Sequence, residues 1–411
     1  MPTWYHRASW ALLKALYSGS SLKEVRAAGA KLLPEPPFLL LADHSNALDG
    51  YAIGSFSKSP IRYMANIEGV HPAKALLAGL VGVYGRRKGA SDIAALRRTI
   101  SLAKSGEAIG IFPEGDRSWD GASTPIRPGA GRLAKRLAED FGLPLVLARQ
   151  KGNYLVHPRW AVSSRRGRWD IEFLVYDPDE LSRMSEGLVE AVVATAIAKN
   201  EIKDALAEGR YFSGNGLAEG IGRLLWRCPV CGKADAISGR DDKISCGRCG
   251  ARWKLDANCR VTPINAPLSL HAAEIGDLKD WHDWQVATLP ELAANGNGRG
   301  LASEGVILSR RTRGGLHRIG RGRLFWPGRS QRGTPAGELV FETDRASIAF
   351  DARLIRGFVD NFNSFSEFDH RGERWRVEFG GGNAAKWSYA FSNLGGAGPS
   401  GGEPRGDGAA A

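Results

Sequence analysis

The chain has 411 residues, 43% hydrophobic and 24% charged, with a formal charge of +12 at pH 7. That is the composition of a soluble globular protein, with length for about two to four domains and a sizeable core. No apolar run reaches about eighteen residues, which excludes a bilayer-spanning helix, and the basic surplus favours an anionic partner, either a membrane surface or nucleic acid.

Residues 1 to 33 carry Trp4, Tyr5, Trp10, Leu12, Leu13, Leu16 and Tyr17 at roughly helical spacing, with His6, Arg7, Lys14, Lys23 and Arg26 among them. Lys14 interrupts the apolar part and no small-residue cleavage site follows, so no signal peptide is expected. A helix lying in a membrane interface and an amphipathic helix packed on its own domain both fit. From Phe38 to Asp177 strand and helix alternate. Phe38 to Ala42, Ile61 to Ala65, Val81 to Tyr84, Ala108 to Ile111, Leu145 to Ala148 and Arg168 to Tyr176 read as strands. Ser91 starts a helix to Lys104 with Ile93, Leu96 and Ile100 on one face, Arg132 to Phe141 is a second helix, and Ser185 to Ala207 reads as one long closing helix. This rhythm predicts a three-layer α/β domain over residues 1–212. Lys74 to Tyr84 is core by default, with an acyl-chain groove as the alternative.

All five cysteines lie between positions 228 and 259, and four form two Cys-x-x-Cys pairs, Cys228/Cys231 and Cys246/Cys249, fourteen residues apart. That spacing predicts a tetrathiolate Zn²⁺ site, a small structural zinc ribbon over 222–262, with Gly232 and Gly250 after the knuckles and Cys259 as a small apolar filler. The clustering argues against a disulfide framework and for a reducing compartment. Residues 263–300 form a connector, with His282 a surface or packing residue and Asn295-Gly-Asn-Gly a linker. Residues 301–392 read as an antiparallel β sandwich or barrel, with strands at 305–309, 322–326, 338–342, 347–350, 375–379 and 387–391. Its early part resembles a pleckstrin-homology-like module. Arg310, Arg311, Arg313, Arg318, Arg321, Arg323 and Arg329 gather there, suited to anionic lipid or to a solvated basic face. The tail, 393–411, is predicted to be disordered.

The chemistry points to two stretches, each at the end of an apolar strand: Asp43-His44-Ser45-Asn46-Ala47-Leu48-Asp49-Gly50 and Phe112-Pro113-Glu114-Gly115-Asp116-Arg117-Ser118. Open α/β sheets place their chemistry at such strand ends. Five residues span about 140° of an ideal helix, so His44 and Asp49 meet only if the chain turns through Ser45 and Asn46 and enters a helix near Asp49. A carboxylate behind the imidazole then makes histidine a general base. A capped helix start with an incidental histidine is the other reading. Glu114, Asp116 and Arg117 crowd a tight turn, where Arg117 offers a planar fork to phosphate and the amides around Gly115 add donors.

Together these residues resemble the glycerolipid acyltransferases, the family of bacterial 1-acylglycerol-3-phosphate acyltransferase. His44 and Asp49 fill that family's His-x4-Asp signature; Phe112, Pro113, Glu114, Gly115, Arg117 and Ser118 fill its Phe-Pro-Glu-Gly-Thr-Arg-Ser, with Asp116 for the threonine. Gly82-Val83-Tyr84-Gly85-Arg86-Arg87 is similar to the intervening glycine-to-arginine block, with Arg87, less closely Arg86, in the arginine's place. Pro144-Leu145-Val146-Leu147 matches a later block without its second proline, and Asp43 stands for the usual asparagine. The resemblance covers roughly residues 1–210 and implies direct acyl transfer from acyl-CoA or acyl carrier protein to a lysophospholipid hydroxyl. It makes His44 and Asp49 catalytic, and Arg87, Glu114, Gly115, Arg117 and Ser118 acceptor-binding. An enzyme peripheral at the cytoplasmic face of the membrane follows, with no nucleic acid expected. The alternatives are a non-catalytic membrane-lipid adaptor, a zinc-ribbon nucleic-acid binder and, third, a hydrolase with water at the same base.

Overall fold

A computed structural model describes residues 4–18, 25–28, 33–66, 79–80, 82–86, 93–267, 274–294, 301–312, 314–326, 338–361, 365–380 and 384–394. The chain divides into two compact units, Met1–Asp283 and Trp284–Ala411. Arg87, Ser91, most of the Lys74 to Tyr84 segment, the Asn295 linker, Arg313, Arg329 and the tail from 395 lie outside the described residues.

The first unit is built on a seven-stranded sheet. Its strands are β1 (Val25–Ala28), β2 (Phe38–Ala42), β3 (Ile61–Asn66), β4 (Tyr84–Arg86), β5 (Ala108–Ile111), β6 (Leu145–Lys151) and β7 (Trp169–Tyr176). They lie in the order β1-β7-β6-β2-β5-β3-β4, parallel except where β7 runs antiparallel to β6, so the sheet is mixed. Every residue of β2 is buried, as the near-continuous apolar run of a central strand requires. One face packs Leu39, Leu41, Ile109, Leu145 and Leu147 against Leu102, Leu137, Val189 and Val193 from helices. Each such leucine side chain contributes about 1.5–3 kcal/mol of burial. The other face carries α2 (Asp49–Gly54), set against Tyr63, with Trp10 of α1 (Trp4–Ser18) lying on Gly54. The residues near Arg26, expected to be helical, form edge strand β1 beside β7.

Three helices depart from expectation. In α3 (Ile93–Lys104), Ala95, Thr99, Leu102 and Ala103 face the sheet while Ile93 and Leu96 are exposed; small side chains let this helix approach, so the larger apolar residues turn outward. Beyond α4 (Ala130–Phe141), Ser185 to Ala207 is not one helix but two, α5 (Glu186–Ile197) and α6 (Glu201–Ala207), interrupted at 198–200. Ser185 caps the first and Asn200 the second, each accepting an amide N–H three residues on. Between them Lys199 drops its ammonium group into the protein. Near the carboxyl end, Trp387 to Phe391 is helix, not strand: Ala384–Leu394 buries Ala384, Ala385, Trp387, Ala390 and Phe391 with helical period.

The cysteine segment folds as four short antiparallel strands, β8 (Ile237–Arg240), β9 (Lys243–Cys246), β10 (Arg252–Leu255) and β11 (Val261–Pro263). It is fastened to the α/β part by Ala218 N–H to Asp241 C=O (2.8 Å) and by Arg165 Nη1 to Ala257 C=O (2.9 Å). Cys259 is buried but is more than filler, since Arg165 Nη1 lies 3.0 Å from its sulfur. The second unit contains a seven-stranded antiparallel sheet. Its strands are β12 (Ala302–Thr312), β13 (Gly315–Phe325), β14 (Glu338–Glu342), β15 (Ser347–Asp351), β16 (Ile355–Asn361), β17 (Phe365–His370) and β18 (Glu373–Glu378), ordered β15-β14-β13-β12-β18-β17-β16. Strands β16 and β17 were not among those expected. Several of its arginines are held internally, Arg311 and Arg376 by buried Glu367 and Arg310 by Glu373. Among the described residues no helix is long and apolar enough to cross a membrane.

Candidate active site

The two stretches meet at the carboxyl edge of neighbouring strands β2 and β5. After Ala42 the chain turns, and α2 begins at Asp49. His44 Nδ1 lies 2.8 Å from Asp49 Oδ2. The same oxygen accepts the N–H groups of Ser45 (2.8 Å) and Asn46 (2.9 Å). Its partner Oδ1 accepts Asn153 Nδ2 at 2.9 Å. Asp49 is fully buried, and the imidazole keeps 22% of its surface exposed. A carboxylate can only accept here, so Nδ1 carries the hydrogen and Nε2 keeps its lone pair.

The second stretch holds His44 from behind. Phe112 stacks on the imidazole at 4.1 Å and 15°, and Tyr63 stacks on Phe112 at 5.7 Å. Gly110 makes room for that ladder, since a Cβ there would stand 2.4 Å from the Tyr63 ring. Glu114 Oε1 accepts the His44 N–H (2.8 Å), and Ser118 N–H donates to the His44 carbonyl (2.9 Å). The main chain at His44 is therefore clamped on both sides.

Two residues expected to bind the acceptor, Glu114 and Ser118, are engaged by the loop itself. Both carboxylate oxygens of Glu114 are occupied, Oε2 by Thr124 N–H at 2.7 Å and Thr124 Oγ1 at 3.1 Å. Burial pushes this carboxyl up to about 7, against the Thr124 N–H and with Asp43 adding to the rise. Ser118 Oγ donates to Ala122 C=O (2.7 Å) and accepts Gly121 N–H (2.9 Å). Neither side chain is disposed toward a ligand. Gly115 sits at φ +78°, and a Cβ would stand 2.1 Å from Arg127 Nε, so only glycine fits the turn.

Arg117 is different. Its guanidinium makes no hydrogen bond or ion pair to a described residue, while its carbonyl is held by Arg159 Nη1 at 2.8 Å. Burial and then Arg159 bring it down to about 10, with Asp116 and Asp49 opposing, so it remains a cation at neutral pH. Arg159 is itself taken, 3.2 Å from Asp116 and 4.0 Å from the Trp119 ring. The site thus joins a partly exposed imidazole, a buried carboxylate and a cation uncommitted among the described residues. Arg87, expected to complete it, lies outside the described residues.

Sequence reasoning missed the buried support. Asp43, Asn153, Lys199 and Glu201 form a polar network behind Asp49. Asp120 joins the second stretch to a helix beyond the cysteines, Leu278–Ala287: its Oδ2 lies 3.0 Å from His282 Nδ1 and 3.5 Å from Lys279 Nζ. His282, expected at the surface or as packing, is buried in this pair. Burial would raise Asp120, but His282 and Lys279 hold it well below the usual carboxylate range.

The four expected cysteines cluster. Cys228 and Cys249 sulfurs are 3.8 Å apart, as are those of Cys231 and Cys246, and all four lie within 4.8 Å of one another. That is close enough to hold a metal ion. A tetrahedron of sulfurs about 2.3 Å from Zn²⁺ has edges of about 3.8 Å, so the donor set fits that ion.

Residues 24–149 match the acyltransferase family, and this segment is an acyltransferase-family domain. The chain is 26% identical over 176 residues to the 1-acyl-sn-glycerol-3-phosphate acyltransferase of Saccharomyces cerevisiae, covering 39% of this chain and 55% of that protein. The chain thus spans about half the length of this curated relative. Among solved structures it is similar to the 1-acyl-sn-glycerophosphate acyltransferase PlsC of Thermotoga maritima, at 19% identity and a TM-score of 0.37, over 46% of this chain and 78% of that one.

Proposed function

We propose that this protein is an O-acyltransferase moving a fatty acyl group from acyl-CoA or acyl carrier protein to the hydroxyl of 1-acylglycerol 3-phosphate or a related lysophospholipid. The observation that carries the reading is the His44–Asp49 pair at 2.8 Å, which leaves the second ring nitrogen to a ligand and is hydrogen-bonded to the loop that carries Arg117. The acceptor's phosphate lies against Arg117, with Arg87 as a second cation. His44 Nε2 takes the hydroxyl proton as the oxygen attacks the thioester carbonyl, and Asp49 stabilises the imidazolium. As the tetrahedral intermediate collapses, the C–S bond breaks and the imidazolium returns its proton to the thiolate. The products are an oxygen ester and a free thiol. Glu114, Gly115 and Ser118 shape the loop that holds His44 rather than touching the acceptor.

Cys228, Cys231, Cys246 and Cys249 hold a structural Zn²⁺, which supplies cross-linking within the ribbon and no chemistry to transfer. Attachment is to an anionic membrane surface, on the cytoplasmic side, and is supported by α1, where Trp4 is 81% and Leu12 62% exposed beside exposed Arg7. Free-thiol release from palmitoyl-CoA, with and without lysophosphatidate, tests the reading. Acceptor-dependent release is expected. Equal release without acceptor identifies a thioesterase and overturns it; silence with CoA and carrier-protein donors alike leaves the adaptor reading in its place.

A further inference from the structure

Behind Asp49 the protein buries more negative charge than one histidine needs. Asp43 and Asp49 are both fully buried, and the Asn153 NH₂ group bridges them, 3.2 Å from Asp43 Oδ2 and 2.9 Å from Asp49 Oδ1. Two carboxylates sharing one donor in a dry site raise each other's affinity for protons. Lys199, which is 3% exposed, answers that charge. Its ammonium group lies 2.7 Å from Asp43 Oδ2, 3.0 Å from the Gln150 carbonyl and 3.1 Å from Glu201 Oε2, and it donates to Asn153 Oδ1. With a cation on its oxygen, the Asn153 amide can face the carboxylates only with its NH₂ end. The interruption between α5 and α6 is what delivers Lys199 to this point.

The geometry points to Lys199 and Asn153 as positioning residues that keep Asp49 ionised and correctly partnered, and so keep His44 a base; this rests on the acyl-transfer reading of the pair. The charged and titratable groups facing the cluster are His44, Tyr63, Glu114, Arg117 and Glu201 besides Asp43, Asp49 and Lys199. Glu201 Oε1 accepts Gly152 N–H at 2.5 Å, while its Oε2 faces Lys199 and adds to the negative charge that Lys199 answers. Lys199 is the cation bonded to Asp43 among the described residues, so Arg117, on the ligand side, does not replace it. Removing Lys199 raises the proton affinity of every remaining acidic group and of His44 together. Activity needs His44 neutral and Asp49 ionised, so the sign is the same whichever group takes the proton: the acid limb of the pH–rate profile moves to higher pH.

The test is the pH dependence of kcat/KM for Lys199→Met, with the low-field Nδ1 proton resonance of His44 followed through the same pH range. The limb should rise by about one pH unit or more, with kcat at neutral pH down about tenfold. Adding Asp43→Asn to Lys199→Met removes one charge of each sign and should return the limb toward its wild-type position. If Lys199→Met does not fold, Asn153→Leu provides the readout: it leaves the charges in place but takes a donor from both carboxylates, and again the limb should rise. An unmoved limb in a folded variant that is merely less stable overturns the inference. The resonance needs no turnover, so a wild type without transferase activity whose His44 titration still moves in Lys199→Met would sink the acyl-transfer reading and leave this inference standing.

Discussion

Replacing Glu114 with glutamine separates a residue that shapes the site from one that binds the acceptor. Two backbone donors face its two oxygens, His44 N–H on Oε1 and Thr124 N–H on Oε2, the latter joined by the Thr124 hydroxyl. Glutamine can answer one of them, but its NH₂ then confronts the other, at a cost of about 1–3 kcal/mol. Against this stands the cost of ionising a buried acid. The rise from 4.5 to about 7, at about 1.4 kcal/mol per pH unit, makes the charged form about 3 kcal/mol dearer in the folded chain. The sign follows from proton binding. Between about 4.5 and about 7 the unfolded chain has released a proton that the folded chain keeps, so wild-type stability falls as pH rises through that window. Glutamine has no proton to release. Relative to the variant, wild type should therefore lose about 3 kcal/mol between about pH 4 and about pH 8. In a unit of this size that is a relative melting-temperature change on the order of 5–10 °C. In transfer assays the variant should lose kcat by about ten- to a hundredfold, because His44 is no longer held, with little change in KM for the acceptor. An acceptor KM that rises with kcat intact would refute this and restore Glu114 to the phosphate.

Other perturbations should separate the remaining parts. Arg117→Ala should raise the acceptor KM about tenfold or more while leaving donor KM unchanged, and Arg117→Lys should recover only part of it, since an ammonium lacks the paired donors of the guanidinium; equal effects on donor and acceptor KM would contradict the assignment. Asp120→Asn should cost about 3–5 kcal/mol near neutral pH by leaving His282 and Lys279 without their buried carboxylate. Asp120 is held below its unfolded value, so its stabilisation is present above about pH 4 and fades as pH falls; the gap in urea stability between wild type and variant should close in acid. Metal analysis should find Zn²⁺ at one ion per chain in wild type and little in Cys228→Ser, whose ribbon should become protease-sensitive; full zinc in that variant would contradict the tetrathiolate site.

What the sequence disclosed depended on how local the causes were. His44 and Asp49 were legible because a strand, a turn and a helix start bring residues five apart together within one short segment. The cysteine cluster was legible because two knuckles fix four sulfurs almost independently of the rest of the chain. Glu114 and Ser118 were located, but the hydrogen bonds that engage them within the loop were not legible. Nothing in the order of residues says that their hydrogen bonds run to the main chain of His44, seventy positions earlier for Glu114. Lys199 was hidden for a stronger reason: the run from Ser185 to Ala207 has helical character throughout, and the partner that Lys199 meets at the break is Asp43, 156 positions away in the chain. An isolated lysine between Ala198 and Asn200, a residue that favours caps, was the only local sign. The outward turn of Ile93 and Leu96 reverses the usual reading of an apolar stripe, because the close approach of α3 to the sheet favours Ala95, Thr99 and Ala103 on the inner side.

The central claim is that the imidazole of His44 moves the acceptor's proton during acyl transfer. Its most direct test is mass-spectrometric detection of diacylglycerol 3-phosphate formed from palmitoyl-CoA or palmitoyl carrier protein and 1-acylglycerol 3-phosphate, comparing wild type with folded His44→Ala. The account predicts product from wild type with at least one donor and a loss of about a thousandfold or more in the variant. Product formed by His44→Ala at a rate close to wild type would contradict it.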